Sequence, residues 1–392
     1  MNTATRKGRS KSIATAAASA LAVVVALSAC GAPGADGGAP AEGASSLTIP
    51  LVFDATGAAG PFASEALRGA QLAITEVNEA GGIDGTLIEP VVTDSGSDPQ
   101  QAAAAMNRAV RDNAPVVLYG SGSNMALAMA PIAQQASTPL IAVQSGAPGL
   151  LENGEYVYRS TPQQVLFHEL QAQYLAEQGV ERVAVLYNSD NETYNELGSE
   201  GYAAFGEEYG FSVESEGIMT ADSDVSTVTS LLLESEPDAF VMLLQSNNNT
   251  VPERLRQLGF EGIIAGSISI GVPTLTAMGD LANGIVWPDT FAYDIECESG
   301  SAFVEAYEAE YGELPGSLGA SGYDGARMMI EGMRNAPSLD AEGIQQGLQT
   351  VLESGFDEAA TCEVWFDEER NPHSPARLLQ WQDGAFSTIA TE

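Results

Sequence analysis

A run of small polar residues at positions 120–124, GSGSN, could bind an anion. It follows the apolar segment PVVLY and precedes the helix-forming stretch MALAMAPIAQQA. Glycine lets a ligand come close to the backbone, serine offers a hydroxyl group, and the start of a helix offers free N–H groups to a carboxylate. Ser121, Gly122 and Ser123 are therefore candidate ligand-binding residues that need no cation. The alternative is a tight turn between a strand and a helix, selected only for its geometry.

Further candidate binding groups follow other apolar segments of the chain. The stretch QSG at positions 144–146 repeats the small polar pattern after the segment PLIAV. An aromatic ring after RVAVLY could cover an apolar ligand, although it could equally anchor its own loop. A second aromatic ring, after the first apolar segment, could form a wall of a cleft, and a polar group follows AFVMLL. These additional candidates are Phe62, Ser145, Gly146, Tyr194 and Gln245.

Residues suited to catalysis or to metal binding are scarce. The two histidines are His168 in FHELQAQ and His373 in NPHSP, and the HE pair lacks the second histidine of a zinc-binding helix. No G-x-S-x-G nucleophile motif occurs. The GSGS stretch lacks both the lysine of a phosphate loop and the third glycine of a dinucleotide fingerprint. The sequence therefore predicts neither an enzyme nor a bound metal or cofactor.

Alternating strands and helices are predicted to position these groups. Short apolar segments such as PVVLY and PLIAV have the composition of buried parallel strands. Apolar residues recur at helical spacing from Leu67 to Val77, and Asp98 before Pro99 is typical of a helix start. The alternation runs twice, which predicts an α/β fold with two doubly wound, mainly parallel-sheet lobes. Ligands of such sheets bind beyond the carboxyl ends of the strands, and clefts between lobes are also preferred.

The amino-terminal segment predicts export and lipid attachment. A basic head precedes an apolar run from Ile13 to Leu27, and the run closes on LSAC at positions 27–30. This arrangement is typical of a lipoprotein signal peptide over residues 1–29, whose product begins at Cys30 with lipid on its thiol. An ordinary signal with an incidental cysteine is the alternative. Because residues 31–46 lack large apolar side chains, residues 30–46 are predicted to be a flexible tether on the outer face of the cytoplasmic membrane.

The charge balance excludes nucleic acid as a partner. The chain carries 15 Lys and Arg against 53 Asp and Glu, which gives a formal net charge of −38. Removal of the predicted signal takes away four basic residues and leaves 11 against 53, a net charge of −42. Phosphate binding needs clustered Lys and Arg, which such a surface lacks. We interpret the acidic excess as a solvated surface suited to saline surroundings.

Two cysteines remain beyond the one that is predicted to carry lipid. Cys297 and Cys362 could form a disulfide, because an even pair in an oxidising compartment suggests one. The alternative is two buried free thiols, since the sequence does not give the distance between them.

Segments along nearly the whole mature chain resemble one family. They are similar, in the expected order, to type I periplasmic binding proteins of the branched-chain amino-acid type, which are substrate-binding lipoproteins of ABC transporters. The combination of GPFAS with GAQLAITEVNEAGGI is specific, whereas the other segments are weaker individually. The matching segments are GPFASEALRGAQLAITEVNEAGGIDG at 60–85, DSGSDPQQA at 94–102, YGSGS at 119–123, APIAQQASTPLIA at 130–142, RVAVLY at 182–187, LRQLG at 255–259 and SGYDGA at 321–326.

The resemblance implies two lobes that are joined by three crossing strands and close on a ligand like a hinge. It implies lobe 1 over residues 47–160 with 291–363, and lobe 2 over residues 161–290 with 364–392. It also implies a monomer that delivers its ligand to membrane permease subunits, which bind the closed form.

The resemblance also assigns roles to the candidate residues. Positions 121–123 and 145–146 fall where such proteins hold the ligand carboxylate. Tyr194 matches a binding aromatic of the second lobe, Gln245 falls near another, and Phe62 matches an aromatic wall position.

One position departs from the family pattern. Amino-acid binders of this family place an acidic residue in the loop after the strand that corresponds to residues 262–266, where it pairs with the ligand ammonium. Ile268 occupies that position here. An ammonium buried without a counter-charge is costly, so we expect a ligand that lacks an amino group. The alternative is that another acid, such as Asp289 or Asp294, takes the role.

The expected function is that of an extracytoplasmic solute-binding lipoprotein of an ABC importer. Its ligand is expected to be a small carboxylate- or amide-bearing molecule, either an amino acid or an analogue. A ligand-sensing receptor component with the same clamshell is the alternative from another class. The lipoprotein signal and the lack of a fused signalling domain favour the importer.

Overall fold

The computed structural model describes residues 45–57, 60–147, 149–189, 192–220, 223–244 and 247–391, without the side chains of residues 61, 62, 192 and 273. Cys30, Gln245 and the side chain of Phe62 therefore lie outside the described part of the chain. Within that part, no helix combines the length and the apolar character needed to cross a membrane.

The first large sheet is built from five strands with three helices between them. These elements are β1 Ser45–Phe53, α1 Gly60–Glu79, β2 Thr86–Asp94, α2 Pro99–Arg111, β3 Val117–Gly120, α3 Ser123–Ala136, β4 Leu140–Val143 and β5 Val157–Arg159. The strands are parallel, in the order β2-β1-β3-β4-β5. The N-cap prediction is confirmed, because Asp98 Oδ1 accepts a hydrogen bond from Gln101 N at 2.8 Å.

The second large sheet begins after β5 with a further series of strands and helices. The series is α4 Gln164–Glu177, β6 Arg182–Asn188, α5 Glu192–Glu196, α6 Tyr202–Tyr209, β7 Ser212–Met219, α7 Val225–Leu232, β8 Ala239–Leu243, α8 Thr250–Gln257, β9 Ile263–Gly266, α9 Val272–Met278 and β10 Val286–Asp289. A π-helical turn links α5 to α6, and there Gly198 packs so closely on β6 that a Cβ atom would lie 2.2 Å from Tyr187 Cγ. Tyr194 lies on α5, a short helix, whereas the sequence predicts a loop at this position.

Three helices and a small sheet follow, and then the chain returns to the second large sheet. These elements are α10 Glu298–Tyr311, α11 Ser317–Arg334, α12 Ala341–Ser354, β11 Phe356–Ala359, β12 Cys362–Phe366, β13 Pro372–His373, β14 Arg377–Gln382 and β15 Ala385–Thr391. β14 pairs antiparallel with both β10 and β15, so the order of the second sheet is β15-β14-β10-β9-β8-β6-β7.

Glycines bring α11 into close contact with α1. A Cβ atom on Gly69 would lie 1.9 Å from Gly319 O, and one on Gly322 would lie 1.9 Å from Ala66 O. Any side chain at these positions would push the two helices apart. The contact attaches α10–α12 to the first sheet, with which they share one apolar core.

The chain passes three times between the elements of the two large sheets, after β5, after β10 and after β13. Separate apolar clusters cover the two faces of the second sheet, and a fourth packs α2 and α3 on the first. The predicted fold class, an α/β fold with two mainly parallel sheets, is confirmed.

A disulfide joins the start of α10 to β12. Cys297 and Cys362 are 65 residues apart in the sequence, and their Cα atoms are 5.7 Å apart. This distance is within the usual range for a disulfide. The bond therefore links the chain entering α10 to the small sheet.

Candidate functional site

The candidate loops of the first sheet lie side by side. β1 pairs with β3 so that Phe53 is level with Gly120, and β3 pairs with β4 so that Gly120 is level with Val143. The segments 121–123 and 144–146 therefore begin at the same edge of the sheet. This is the edge at which parallel sheets bind ligands.

Asp54, directly after β1, holds the loop that contains Gly122. Its carboxylate is completely buried and accepts hydrogen bonds from Gly122 N at 3.1 Å and from Ser95 Oγ. Tyr119 Oη lies 3.1 Å from Asp54 Oδ2 and 2.9 Å from Gly122 O. Burial, together with the Asp54 charge, raises the pKa of Tyr119, so its hydroxyl keeps the proton that it donates. Asp54 was not among the residues predicted from the sequence, although a polar residue at a strand end was the signal for the other loops.

Close packing and backbone strain shape the same loop. A Cβ atom on Gly120 would lie 2.0 Å from Phe53 Cε1, so no larger residue fits there without displacing the ring. Ser121 is buried and has φ 134°, a conformation that other contacts must hold in a non-glycine residue. α3 begins at Ser123, and Gly122 supplies no capping side chain. Met125 N already donates to Gly122 O at 3.2 Å, so the N–H groups of Ser123 and Asn124 are the ones at the start of α3 that can bind an anion.

The loop after β4 contains one hydroxyl without a protein partner. Ser145 is completely buried, and its Oγ makes no hydrogen bond within the described residues. Gln144 already donates twice, from its N to Thr161 Oγ1 at 2.8 Å and from its Nε2 to Ser321 Oγ at 3.0 Å. Ser145 therefore offers this loop a buried hydroxyl that is not bound to a described residue.

A buried cation adjoins this loop. Arg159, at the end of β5, is 4 % exposed, and its Nη2 donates to Ala147 O at 3.2 Å. Its Nε and Nη1 have no hydrogen-bond partner in the part of the chain that the structure describes. Burial lowers the pKa of Arg159, and the charge of Asp367 opposes this shift. Arg159 was not predicted from the sequence, because a lone arginine beside apolar residues forms no recognisable motif.

At the corresponding edge of the second sheet, polar side chains bind one another. Tyr194 is 1 % exposed, and its Oη lies 2.6 Å from Ser269 Oγ. Asn248 Nδ2 donates to Leu244 O at 3.1 Å and to Ser269 O at 3.2 Å, and Ser267 Oγ donates to Leu244 O at 3.3 Å. Burial raises the pKa of Tyr194, so the phenol is neutral. Tyr194 therefore supports the loop at 267–269 through its hydroxyl.

A second buried network holds Gly266, the residue at which this loop begins. Gln171 Nε2 donates to Gly266 O at 2.9 Å, and Tyr202 Oη donates to Gln171 Oε1. His168 Nδ1 lies 2.9 Å from Tyr202 Oη. Burial lowers the pKa of His168 to about 4, which keeps the ring neutral at neutral pH. The network is structural, and neither Gln171 nor Tyr202 was singled out from the sequence.

Ile268 packs against other residues of the protein. So do the two acids that could pair with a ligand ammonium in place of the expected acidic residue. Ile268 is half-buried and packs against the apolar core of the second sheet. Asp289 is 3 % exposed and accepts a hydrogen bond from Thr290 N at 2.8 Å, and burial raises its pKa to about 7. Asp294 accepts hydrogen bonds from Thr388 N at 3.2 Å and Thr388 Oγ1 at 3.0 Å.

The two edges approach each other at Gly146. A Cβ atom on Gly146 would meet Thr193 Oγ1 at 3.8 Å, and Thr193 neighbours Tyr194 on α5. Among the candidates, the structure brings one group to the first edge and another to the second. The first group is Ser121, Gly122, Ser123, Ser145 and Gly146, and the second is Tyr194 and Ile268.

Among the described residues, no group of three or more His, Cys, Asp or Glu side chains could hold a metal ion.

Sequence relatives and solved structures show similarity over most of the chain. A "Leu/Ile/Val-binding protein homolog 7" of Brucella abortus is 25% identical over 379 residues, which covers 90% of this chain and 93% of the relative. The branched-chain amino acid transporter substrate binding protein LivJ of Streptococcus pneumoniae, solved with isoleucine, is 23% identical, with a TM-score of 0.78 and coverage of 88% and 99%. A solute binding protein of an ABC transporter from R. palustris, solved with 4-hydroxybenzoate, is 18% identical, with a TM-score of 0.79 and coverage of 88% and 97%.

The solved structures, at these identities, show a shared fold. The family whose description reads "Periplasmic binding protein" matches residues 46–385, which is nearly all of the chain that follows the predicted tether. This match agrees with the strand order and with the three passages of the chain between the two sheets. The chain belongs to the periplasmic binding protein family.

Proposed function

We propose that the chain is the extracytoplasmic solute-binding component of an ABC importer, which holds a small carboxylate or amide between two lobes and delivers it to permease subunits. The observation that carries this proposal is the pair of small polar loops, 121–123 and 144–146, at one sheet edge that faces α5 across Gly146. The family match and the names of the relatives support it. The lobes we propose are 47–160 with 291–363 and 161–290 with 364–392, a division supported by the core that α10–α12 share with the first sheet.

A carboxylate is the ligand group that suits the first edge. Ser145 Oγ is a buried hydroxyl with no partner in the described part of the chain, and no side chain caps the start of α3. Hydrogen bonds from such donors are strengthened when the acceptor is charged. Arg159 adds a buried positive charge beside Ala147. The carboxylate of Asp54 is already bound by Gly122 N and Ser95 Oγ, which offsets its repulsion of a second anion.

The rest of the ligand is proposed to be apolar and to lack an amino group. The described loops 121–123, 144–147 and 267–269 contain no acidic side chain, and Ile268 stands where the family places the partner of the ammonium. Relatives of both ligand classes exist, since one solved structure holds isoleucine and another holds 4-hydroxybenzoate. The chemistry of this chain favours aliphatic or aromatic carboxylates and small amides over amino acids.

Mass spectrometry of the released ligand tests the proposal directly. The protein is purified without added ligand and then denatured, and the small molecules that it releases are identified by their masses. We expect a small carboxylic acid or amide in near-stoichiometric amount. A nucleotide, a sugar or a metal ion as the released species would contradict the proposal.

The membrane attachment is a separate part of the proposal. Lipid on Cys30 would tether the protein to the outer face of the cytoplasmic membrane, with residues 30–46 as the spacer. Cys30→Ser should abolish labelling by radioactive palmitate and leave the unfolding transition unchanged. A variant that is still labelled would show that the anchor lies elsewhere.

A further inference from the structure

A small cavity lies where the three crossing segments of the chain meet. Its volume is about 10 Å³, and seven of its nine lining residues are polar. One or more residues of each crossing segment contribute: Ser160 of the first, Thr290 of the second and Ser374 of the third. Ser321 and Asp324 of α11 complete much of the wall. The cavity is therefore lined jointly by all three segments about which the two sheets would move relative to each other.

Two hydroxyl groups of this cavity are buried without a protein partner. Ser160 is 6 % exposed and Ser374 is 8 % exposed. The Oγ atoms of both have no hydrogen-bond partner within the described residues. A buried hydroxyl that makes no hydrogen bond is unfavourable, and two of them at one small cavity point to a shared partner.

We propose that one water molecule binds in this cavity and bridges Ser160 Oγ and Ser374 Oγ, so that it joins the first crossing segment to the third. A volume of about 10 Å³ is at the lower limit for one water and leaves no room for a larger ligand. Water can donate to one hydroxyl and accept from the other, and a buried water usually makes about three hydrogen bonds.

A bound cation fits the cavity less well than water. The carboxylate of Asp324 already accepts hydrogen bonds from Ala360 N at 2.6 Å and Thr361 Oγ1 at 2.7 Å. The guanidinium of Arg327 also acts on the same carboxylate. A second positive charge would have to compete with these contacts.

The cavity is connected to the candidate ligand loop by direct hydrogen bonds. Gln144 N donates to Thr161 Oγ1 at 2.8 Å, and Gln144 Nε2 donates to Ser321 Oγ at 3.0 Å. Thr161 and Ser321 both line the cavity. A displacement of the loop at Ser145 would therefore be transmitted to the residues around the water. This inference goes beyond the proposed function, because it holds whatever the ligand is.

A crystal structure of the whole protein at about 1.5 Å resolution tests the water site. We expect one density peak within about 2.5–3.0 Å of both hydroxyl oxygens, which is the range for hydrogen bonds between oxygens. An empty cavity would overturn the proposal. A peak with five or six oxygen neighbours, the coordination of a cation, would overturn it too.

A double-mutant cycle provides a second test in solution. Ser160→Ala and Ser374→Ala should each lower the midpoint of thermal unfolding by about 1–3 °C. The double variant should lose no more than the larger single effect, because the first substitution already releases the water. The control pair combines Ser160→Ala with Ser235→Ala, in the 3-10 turn that follows α7, and the effects of these two substitutions should add. Additive losses for Ser160 and Ser374 would contradict a shared water.

Discussion

The two sheet edges that face each other at Gly146 differ in how many of their polar groups are already bound by the protein. At the first edge, Ser145 Oγ has no partner among the described residues, and α3 begins without a capping side chain. At the second edge, the hydroxyl of Tyr194 and the amide N–H groups of Asn248 already bind Ser269 or the backbone. Asn248 Oδ1 has no partner among the described residues, but it is an acceptor and cannot bind a carboxylate. A free buried donor gains more from a ligand than a donor that must first give up a protein partner. We therefore expect the first edge to bind the polar group of the ligand and the second edge to form a wall of the site.

The two edges are also held in place by opposite means. A buried carboxylate, Asp54, binds the backbone N–H of Gly122 at the first edge. A neutral amide, Gln171, binds the backbone carbonyl of Gly266 at the second. Asp54 therefore positions the loop whose N–H groups would bind an anion. Gln171 positions a backbone carbonyl and, as a neutral amide, adds no charge to the second edge.

The largest expected effect concerns the amino group of the ligand. Leucine should bind more weakly than 4-methylpentanoate, which differs from it only in lacking that group, by about two to four orders of magnitude. The physical reason is that Ile268 leaves the ammonium desolvated without a counter-charge. Calorimetric titration of ligand-stripped protein measures both affinities. Ile268→Glu should narrow the gap, and submicromolar leucine binding by the unmodified protein would refute the idea.

Removal of one hydroxyl from each edge tests directly whether the two edges contribute differently to ligand affinity. Ser145→Ala should weaken binding of 4-methylpentanoate by about 10- to 100-fold, because a hydrogen bond to a charged group is lost. Ser269→Ala, which removes the partner of Tyr194, should change the affinity by less than about threefold and act on stability instead. Calorimetric titration of both variants with 4-methylpentanoate measures the two affinities. Equal losses of affinity would mean that the two edges do not differ as described.

An intermediate effect is expected when the support of the first edge is weakened. Asp54→Asn replaces a buried acceptor with an amide that points N–H groups at existing donors, so it should cost about 2 kcal/mol of unfolding free energy. Because the loop at 120–123 loses its anchor, affinity for 4-methylpentanoate should fall about tenfold. Urea unfolding and calorimetry measure the two quantities. The exposed Asp84→Asn serves as the matched control, and Asp54→Asn with wild-type affinity would show that the loop is held by other contacts.

The smallest effect on affinity is expected at Asp289, whose substitution should instead change the pH dependence of stability. Burial raises the pKa of Asp289 from 3.8 to about 7, and Arg377 is level with it on the neighbouring strand. A carboxyl whose pKa is higher in the folded state is more protonated there than in the unfolded chain between these values. Its contribution to stability is therefore complete at low pH and is lost as the pH rises towards 7.

Urea unfolding between pH 4.5 and 7.5 measures this contribution. Asp289→Asn should show a flatter dependence of unfolding free energy on pH than the wild type. Identical slopes for wild type and Asp289→Asn would mean that Asp289 does not titrate in this range.

Sequence patterns predicted the elements that carry the site but missed the residues that hold it. The apolar segments before positions 120 and 144 became β3 and β4, and the Asp98-Pro99 helix start was confirmed. Asp54 and Gln171 were missed because their partners are distant in the sequence. Ser95 is 41 residues from Asp54, and Gly266 is 95 residues from Gln171. No local pattern records a hydrogen bond of that span.

The sequence by itself determined the fold class and the strand ends at which a ligand can bind, whereas the replacement of the expected acid by Ile268 follows from the resemblance to the family and stays a prediction. These features depend on local composition and spacing, because strand length, helix periodicity and turn residues act over a few neighbouring positions. Only the tertiary structure decided which polar groups remain free. Ser145 and Ser269 look alike in the sequence, yet one is buried without a partner and the other is bound to Tyr194. Whether a hydroxyl is free depends on what the folded chain brings within hydrogen-bonding distance of it, which is a property of packing.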